Sequence, residues 1–112
     1  ADSIEHALRV SSLNNCYSNL SRAKDELSRN GQKLKDDEKI TEEQSDQILY
    51  PLDVLTFHRV IEFQNYLEDE GRDGEEYTRS FDLAVQQINT TRNTLVEVRD
   101  QLADKGIQYK QL

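Results

Sequence analysis

One largely apolar series, whose members are separated alternately by four and three residues, restricts the possible folds of this chain more than any other feature. This spacing places every member on one face of an α-helix and is typical of helices that pack lengthwise. It predicts a helix over about residues 74–105, ended by Gly106 and followed by a tail over 106–112. The members of the series are Tyr77, Phe81, Ala84, Ile88, Thr91, Leu95, Val98 and Leu102.

A second periodic stretch occupies the start of the chain. A leucine recurs there every seven residues, and Asp2 and Glu5 have the spacing of a capping box. Asn30 and Gly31 form a typical helix stop, because Gly adopts the left-handed conformation that follows a last turn. We therefore predict a first helix over about 3–30 and a charged linker over 31–40. The leucines are Leu13, Leu20, Leu27 and Leu34.

The middle of the chain contains a further helical stretch that includes a proline. Thr41 and Gln44 form another capping box, and Pro51 disfavours helical geometry at the residue before it. The prediction is a helix over about 41–70 with a break at 50–51, and a kink there is the open alternative. No strand-like alternation occurs along the chain. The fold class predicted for residues 1–112 is a single all-α domain, an antiparallel three-helix up-down-up bundle.

The middle helix has more apolar surface than two neighbouring helices can cover. Besides a main stripe, it has apolar flanks on both sides, and each flank lies roughly 80–120° round the helix. Tyr66 and Leu55 belong to one flank, and Ile4 and Leu8 lie opposite the leucine series of the first helix. We predict that Ile4, Leu8, Leu55 and Tyr66 anchor a protein partner. The stripe contains Leu49, Leu52, Val60, Phe63 and Leu67; the flanks are Tyr50, Val54, Phe57, Ile61 and Ile48, Leu55, Tyr66.

The charge is strongly negative and unevenly distributed. The net charge is −8, and residues 41–76 contain eleven acidic and only two basic side chains. Phosphate backbones require clustered Lys and Arg, so direct binding to nucleic acid or to an anionic membrane is not expected. No apolar run approaches the ~20 residues of a membrane span. An acidic surface favours encounter with a basic partner.

Several residues suggest chemistry that their surroundings do not support. His6 and His58 would lie about 12 Å apart along an antiparallel helix pair, too far for one haem iron or metal ion. His58 and Glu62 are instead predicted to form an exposed polar pair, and His6 a partly buried position. The acidic turn 68–76 lacks carboxylates at two calcium-ligand positions. We predict neither a metal site nor a cofactor.

Nothing in the sequence indicates catalysis. Cys16 has no activating cation at helical spacing and is predicted to be a packed or half-packed thiol. Asp53 and Glu62 lie nearly three turns apart, which is too far for an acid–base pair. The chain contains no Met, so removal of an initiator Met or of a signal peptide is expected before Ala1. The first case corresponds to a cytoplasmic protein and the second to a periplasmic or secreted one.

These observations predict a non-enzymatic acidic helical protein that acts by binding another protein. An adaptor, inhibitor, immunity or chaperone-like role fits equally well, and self-association into a homodimer is the plainest form. The first alternative is a ligand or cofactor carrier whose cavity is lined by Tyr17, Phe57, Phe63 and Phe81. The second is an acidic mimic of nucleic acid, although the acidic residues bunch at one turn instead of spreading along a face.

Overall fold

The computed structural model describes residues 3–69 and 75–107, and all regular secondary structure in them is α-helical. The helices are α1 (Ser3–Asp36), α2 (Glu42–Asp53), α3 (His58–Asp69) and α4 (Glu75–Asp104). The chain divides into two compact units, one formed by residues 1–19 and 56–91 and the other by 20–55 and 92–112. Each unit therefore contains part of α1, part of α4 and one of the two short helices.

The first unit has an aromatic centre. Phe63 of α3 is fully buried, and its ring centroid lies 5.4 Å from that of Phe81 and 5.6 Å from that of Tyr77. On α1, the Tyr17 ring meets Phe57 edge-on with centroids 4.8 Å apart. Among the side chains that the structure describes in this unit, the buried ones are Leu13, Val60, Phe63, Tyr77, Ala84, Ile88 and Thr91.

The second unit has an aliphatic core. Its helix α2 begins at the predicted capping box: Thr41 Oγ1 accepts a hydrogen bond from the Gln44 N–H (3.1 Å), and Gln44 Oε1 accepts one from the Thr41 N–H (2.9 Å). Leu49, Leu55 and Ile107 are partly buried against this core. The core residues are Leu27, Leu34, Ile40, Ile48, Leu52, Leu95, Val98 and Leu102.

The predicted fold class is confirmed: the chain is an all-α antiparallel three-helix bundle whose second helix is broken near Pro51. The two periodic series are the reason. Three of the four heptad leucines are buried and Leu20 is half-buried. In the series from Tyr77 to Leu102 every residue is buried except Phe81, which is half-buried. These stripes supply the apolar faces around which helices pack.

The predicted helix stop at Asn30 and Gly31 is wrong, because α1 continues to Asp36. Gly31 is buried within the helix, and a Cβ at this position would lie 2.8 Å from the methyl carbons of Leu49. The glycine therefore allows Leu49 of α2 to pack closely against α1, and it does not end the helix. The chain leaves α1 further on, where Glu38 has a φ of 60°. The predicted linker over 31–40 is correspondingly shortened.

The break in the second helix lies at residues 54–57 rather than at 50–51. Pro51 falls inside the last turn of α2, between the buried residues Ile48 and Leu52. Packing of these two side chains holds the turn, and the Val54 N–H still donates to the Tyr50 carbonyl at 3.3 Å. The helix ends at Asp53, two residues after the proline.

Candidate functional site

The first candidate surface is the outer face of the start of α1. Ile4 is 73% exposed and Leu8 is 67% exposed. They lie one helical turn apart and about 140–180° round the helix from the buried Leu13. The same face continues with the exposed, uncharged side chains of Ser11 and Asn15. We refer to Ile4, Leu8, Ser11 and Asn15 as the α1 face.

The second candidate surface is the outer face of α2. Tyr50 is 62% exposed and Val54 is 55% exposed, and both lie on the side away from Leu52. Three exposed carboxylates surround this apolar pair on the same helix. We refer to Tyr50, Val54 and the three carboxylates as the α2 face. The carboxylates are those of Glu43, Asp46 and Asp53.

The four predicted anchors have different surroundings. Ile4 and Leu8 lie together on the α1 face, whereas Leu55 is half-buried against the aliphatic core of the second unit. Tyr66 is half-buried on α3 in the first unit. Leu55 therefore contributes to packing, and the α1 face includes two of the four predicted anchors.

The two flanks of the middle helix differ in exposure. On the flank that contains Leu55 and Tyr66, Ile48 is buried in the core. On the other flank, Tyr50, Val54 and Ile61 are exposed. The predicted anchors Leu55 and Tyr66 did not include these exposed residues.

His58 belongs to a polar cluster at the start of α3. Its Nδ1 lies 2.8 Å from Thr56 Oγ1 and 3.2 Å from Gln87 Nε2. Because an amide nitrogen only donates, Nδ1 accepts from Gln87 in its unprotonated form. Gln87 Oε1 in turn accepts from the backbone N–H groups of Arg59 (2.8 Å) and Val60 (3.3 Å). Gln87 thus caps α3 from another helix.

The predicted polar pair of His58 with Glu62 is not formed among the described residues. The Glu62 carboxylate instead accepts a hydrogen bond from Arg59 Nη1 at 3.1 Å. His58 is already engaged by Thr56 and Gln87, since it lies at the first position of α3 and faces α4. The side chain of His6 lies outside the described part of the structure.

Cys16 is exposed, which corrects the prediction of a packed or half-packed thiol. It lies on α1 outside the series of steps of three and four that includes Leu13, Tyr17 and Leu20. Residues outside that series are not covered by the neighbouring helices. Cys16 is therefore a surface thiol.

The four aromatic residues proposed to line a ligand cavity pack against one another. Tyr17 pairs with Phe57, Phe63 pairs with Phe81, and the Arg9 guanidinium lies 5.5 Å from the Phe81 ring centroid. An open depression of about 800 Å³ lies on α4 of the same unit, and none of the four rings lines it. Its walls include Glu75, Thr78, Arg79, Asp82, Leu83 and Gln86.

Within residues 3–69 and 75–107, no three His, Cys, Asp or Glu side chains gather closely enough to hold a metal ion. Most of the acidic turn 68–76, considered above as a calcium loop, lies outside the described residues. Among the described helices, none has both the length and the apolarity needed to cross a membrane.

Comparison with known proteins adds no relative to this description. No protein-family model, no curated protein and no solved structure matches the chain.

Proposed function

We propose that this chain is a non-enzymatic protein-binding module, and that the α1 face binds a second copy of the chain. The observation that carries the proposal is the exposure of two large aliphatic side chains, Ile4 and Leu8, one helical turn apart. Burying a Leu or Ile side chain fully contributes roughly 1.5–3 kcal/mol. Two adjacent exposed ones therefore provide a compact source of binding free energy.

The contrast with the rest of α1 supports a binding role for this face. From Leu13 to Leu34 the heptad leucines are buried or half-buried, so the helix otherwise hides its large aliphatic side chains. At protein interfaces a few fully desolvated side chains contribute most of the binding free energy, and the contacts around them contribute weakly. On the α1 face Ser11 and Asn15 are the polar neighbours of the aliphatic pair.

The chemistry of the face favours a second copy as the partner. A two-fold interface brings each patch against its own equivalent, so a patch whose charges share one sign meets like charges. Ile4, Leu8, Ser11 and Asn15 are uncharged, and this juxtaposition has no electrostatic penalty at these positions. The net charge of −8 remains a general repulsion between copies, which salt screens.

The described polar interactions are consistent with a structural rather than catalytic use of ionisable groups. Arg59 with Glu62 and Arg79 with Glu76 are exposed pairs three residues apart on one helix. His58 takes part in the helix-start cluster with Gln87. These are the usual roles of charged side chains on helix surfaces.

Analytical ultracentrifugation over a range of protein and salt concentrations tests the proposal. The wild-type mass is expected to rise from 13.0 kDa toward twice that value with concentration. The double variant Ile4→Ser/Leu8→Ser is expected to weaken self-association about 10⁴-fold, because the two-fold interface loses four side chains, two from each copy, and each contributes a factor of about ten.

Ile61→Ser provides the matched control, since Ile61 is an exposed aliphatic residue on α3 of the same unit. It is expected to leave the association constant unchanged. A wild-type protein that stays monomeric at every concentration, or a double variant that associates as strongly as the wild type, would contradict self-association through the α1 face.

A further inference from the structure

The α2 face has a charge pattern that distinguishes it from the α1 face. Asp46 lies four residues before Tyr50 and Asp53 three residues after it, so both carboxylates neighbour the tyrosine on the helix surface. Glu43 lies one further turn toward the helix start. All three are exposed, and α2 itself contains no Lys or Arg.

These carboxylates are not neutralised by the described part of the chain. Within residues 3–69 and 75–107, no Lys or Arg nitrogen lies within 4.0 Å of Glu43, Asp46 or Asp53. The neighbouring Glu42 differs, because its carboxylate lies 4.0 Å from Lys35 Nζ. The face therefore presents an apolar pair, Tyr50 and Val54, with three uncompensated negative charges around it.

We propose that the α2 face binds a cationic amphipathic helix, in which aliphatic side chains cover Tyr50 and Val54 while Lys or Arg side chains meet the surrounding carboxylates. This inference rests on the proposed role of the chain as a binding module but concerns a different surface and a different partner. Complementary charge accelerates encounter and excludes partners of the wrong sign.

A second copy of the chain does not fit this face. A two-fold contact would bring the Glu43, Asp46 and Asp53 carboxylates of one copy toward those of the other, and like charges facing each other weaken an interface. Nucleic acid and anionic lipid are disfavoured by the same repulsion. A positively charged partner avoids this repulsion, and its apolar side chains can cover Tyr50 and Val54.

Fluorescence anisotropy with three labelled synthetic peptides tests the proposal. The first is an amphipathic helix of Leu and Lys, the second replaces every Lys by Glu, and the third has the Leu/Lys composition in an order that abolishes the apolar face. Only the first peptide is expected to bind tightly, and added salt is expected to weaken its binding.

Two sets of variants locate the binding. Tyr50→Ser/Val54→Ser removes the apolar pair, and Glu43→Gln/Asp46→Asn/Asp53→Asn removes the charges. Each is expected to weaken binding of the first peptide about tenfold, with helicity by circular dichroism unchanged.

Matched controls come from α4 in the same unit, where Val96 is an exposed aliphatic residue and Glu97, Asp100 and Asp104 are exposed acids. Val96→Ser and the triple amide variant Glu97→Gln/Asp100→Asn/Asp104→Asn are expected to change binding less than about twofold. An equal loss in the two charge-removed triple variants would show attraction to net charge alone and overturn the proposal.

The proposal is also overturned if the Leu/Lys helix does not bind, if the Glu peptide binds equally well, or if Tyr50→Ser/Val54→Ser lowers self-association and not peptide binding. The Ile4→Ser/Leu8→Ser variant separates this inference from the proposed function. It is expected to bind the Leu/Lys helix as the wild type does, while losing self-association. A negative result for self-association at the α1 face therefore does not affect the interpretation of peptide binding at the α2 face, and the reverse also holds.

Discussion

The two units of this protein reach a helical core by different means. In the second unit the described core is aliphatic, and the capping bonds at the start of α2 come from Thr41 and Gln44, three residues apart. In the first unit the centre is aromatic, and the start of α3 is capped by Gln87, which follows Arg59 by 28 residues. The short helix of the second unit is capped by neighbouring residues, whereas that of the first unit is capped by a residue from a distant segment.

This difference determines where each unit is vulnerable. In the second unit the buried surface is divided among many aliphatic side chains of similar size. In the first unit a single residue, Phe63, contacts both Tyr77 and Phe81. Loss of one residue at the aromatic centre therefore removes several ring contacts at once. The predictions below test this contrast, beginning with the largest effect.

Phe63→Ala is expected to lower the free energy of unfolding by about 4 kcal/mol, and Leu52→Ala by about 3 kcal/mol. Both side chains are fully buried, so each substitution removes apolar contacts and leaves a cavity. Phe63→Ala also removes two aromatic pairs, which contribute about 0.5–1.5 kcal/mol each beyond their burial. Urea unfolding followed by circular dichroism measures both values.

Phe63→Leu serves as the control, because it keeps an apolar side chain at this position and removes only the ring. It is expected to cost less than Phe63→Ala. If Leu52→Ala proved more destabilising than Phe63→Ala, the aromatic centre would not be the more concentrated of the two cores, and the contrast between the units would fail.

Gln87→Ala is expected to cost about 1–2 kcal/mol, because the backbone N–H groups of Arg59 and Val60 lose their shared acceptor. The adjacent exposed residue gives a matched control: Gln86→Ala is expected to change stability by less than about 0.5 kcal/mol. Thermal unfolding of both variants makes the comparison.

Gln87→Glu sharpens the test. A carboxylate keeps the acceptor for the two N–H groups and suits the positive end of a helix dipole, so most of the stability is expected to remain. It removes the amide donor to His58 Nδ1. Equal losses in the Ala and Glu variants would show that the donor to His58, and not the helix cap, is the important contact.

The parts of the structure that the sequence predicts are those encoded by neighbouring residues. The steps of three and four from Tyr77 to Leu102 identify a buried stripe, and the spacing of Thr41 and Gln44 identifies the start of α2. These patterns depend on helix geometry alone, and they were sufficient to predict the fold class correctly.

The parts that the sequence does not predict depend on distant partners. Gly31 was predicted to end α1, but Leu49 packs against it inside the helix. No local pattern around Gln87 indicates that its side chain caps α3. Pro51 remains helical because Ile48 and Leu52 are held in the core. In each case tertiary packing overrides a local preference.

The two candidate surfaces also differ in whether neighbouring residues in the sequence were sufficient to predict them. Exposure of Ile4 and Leu8 was predicted from their position opposite the leucine series, which is a local property of α1. Which flank of the middle helix is exposed depends instead on what packs against it, and Ile48 packs in the core of the second unit. Tyr50 and Val54 were therefore recognised as a flank but not selected as anchors.

Thr41→Ala is expected to cost about 1 kcal/mol, the smallest of these effects. It removes the acceptor for the Gln44 N–H but leaves the reciprocal bond from the Thr41 N–H to Gln44 Oε1. Thr41→Ser keeps the hydroxyl and is expected to retain the stability, while Gln47→Ala on the exposed side of α2 controls for helix propensity. Chemical denaturation compares the variants.

The Thr41 side chain accepts from one backbone N–H, whereas the Gln87 side chain accepts from two. A larger loss of stability in Thr41→Ala than in Gln87→Ala would therefore contradict the stronger dependence of the first unit on distant contacts.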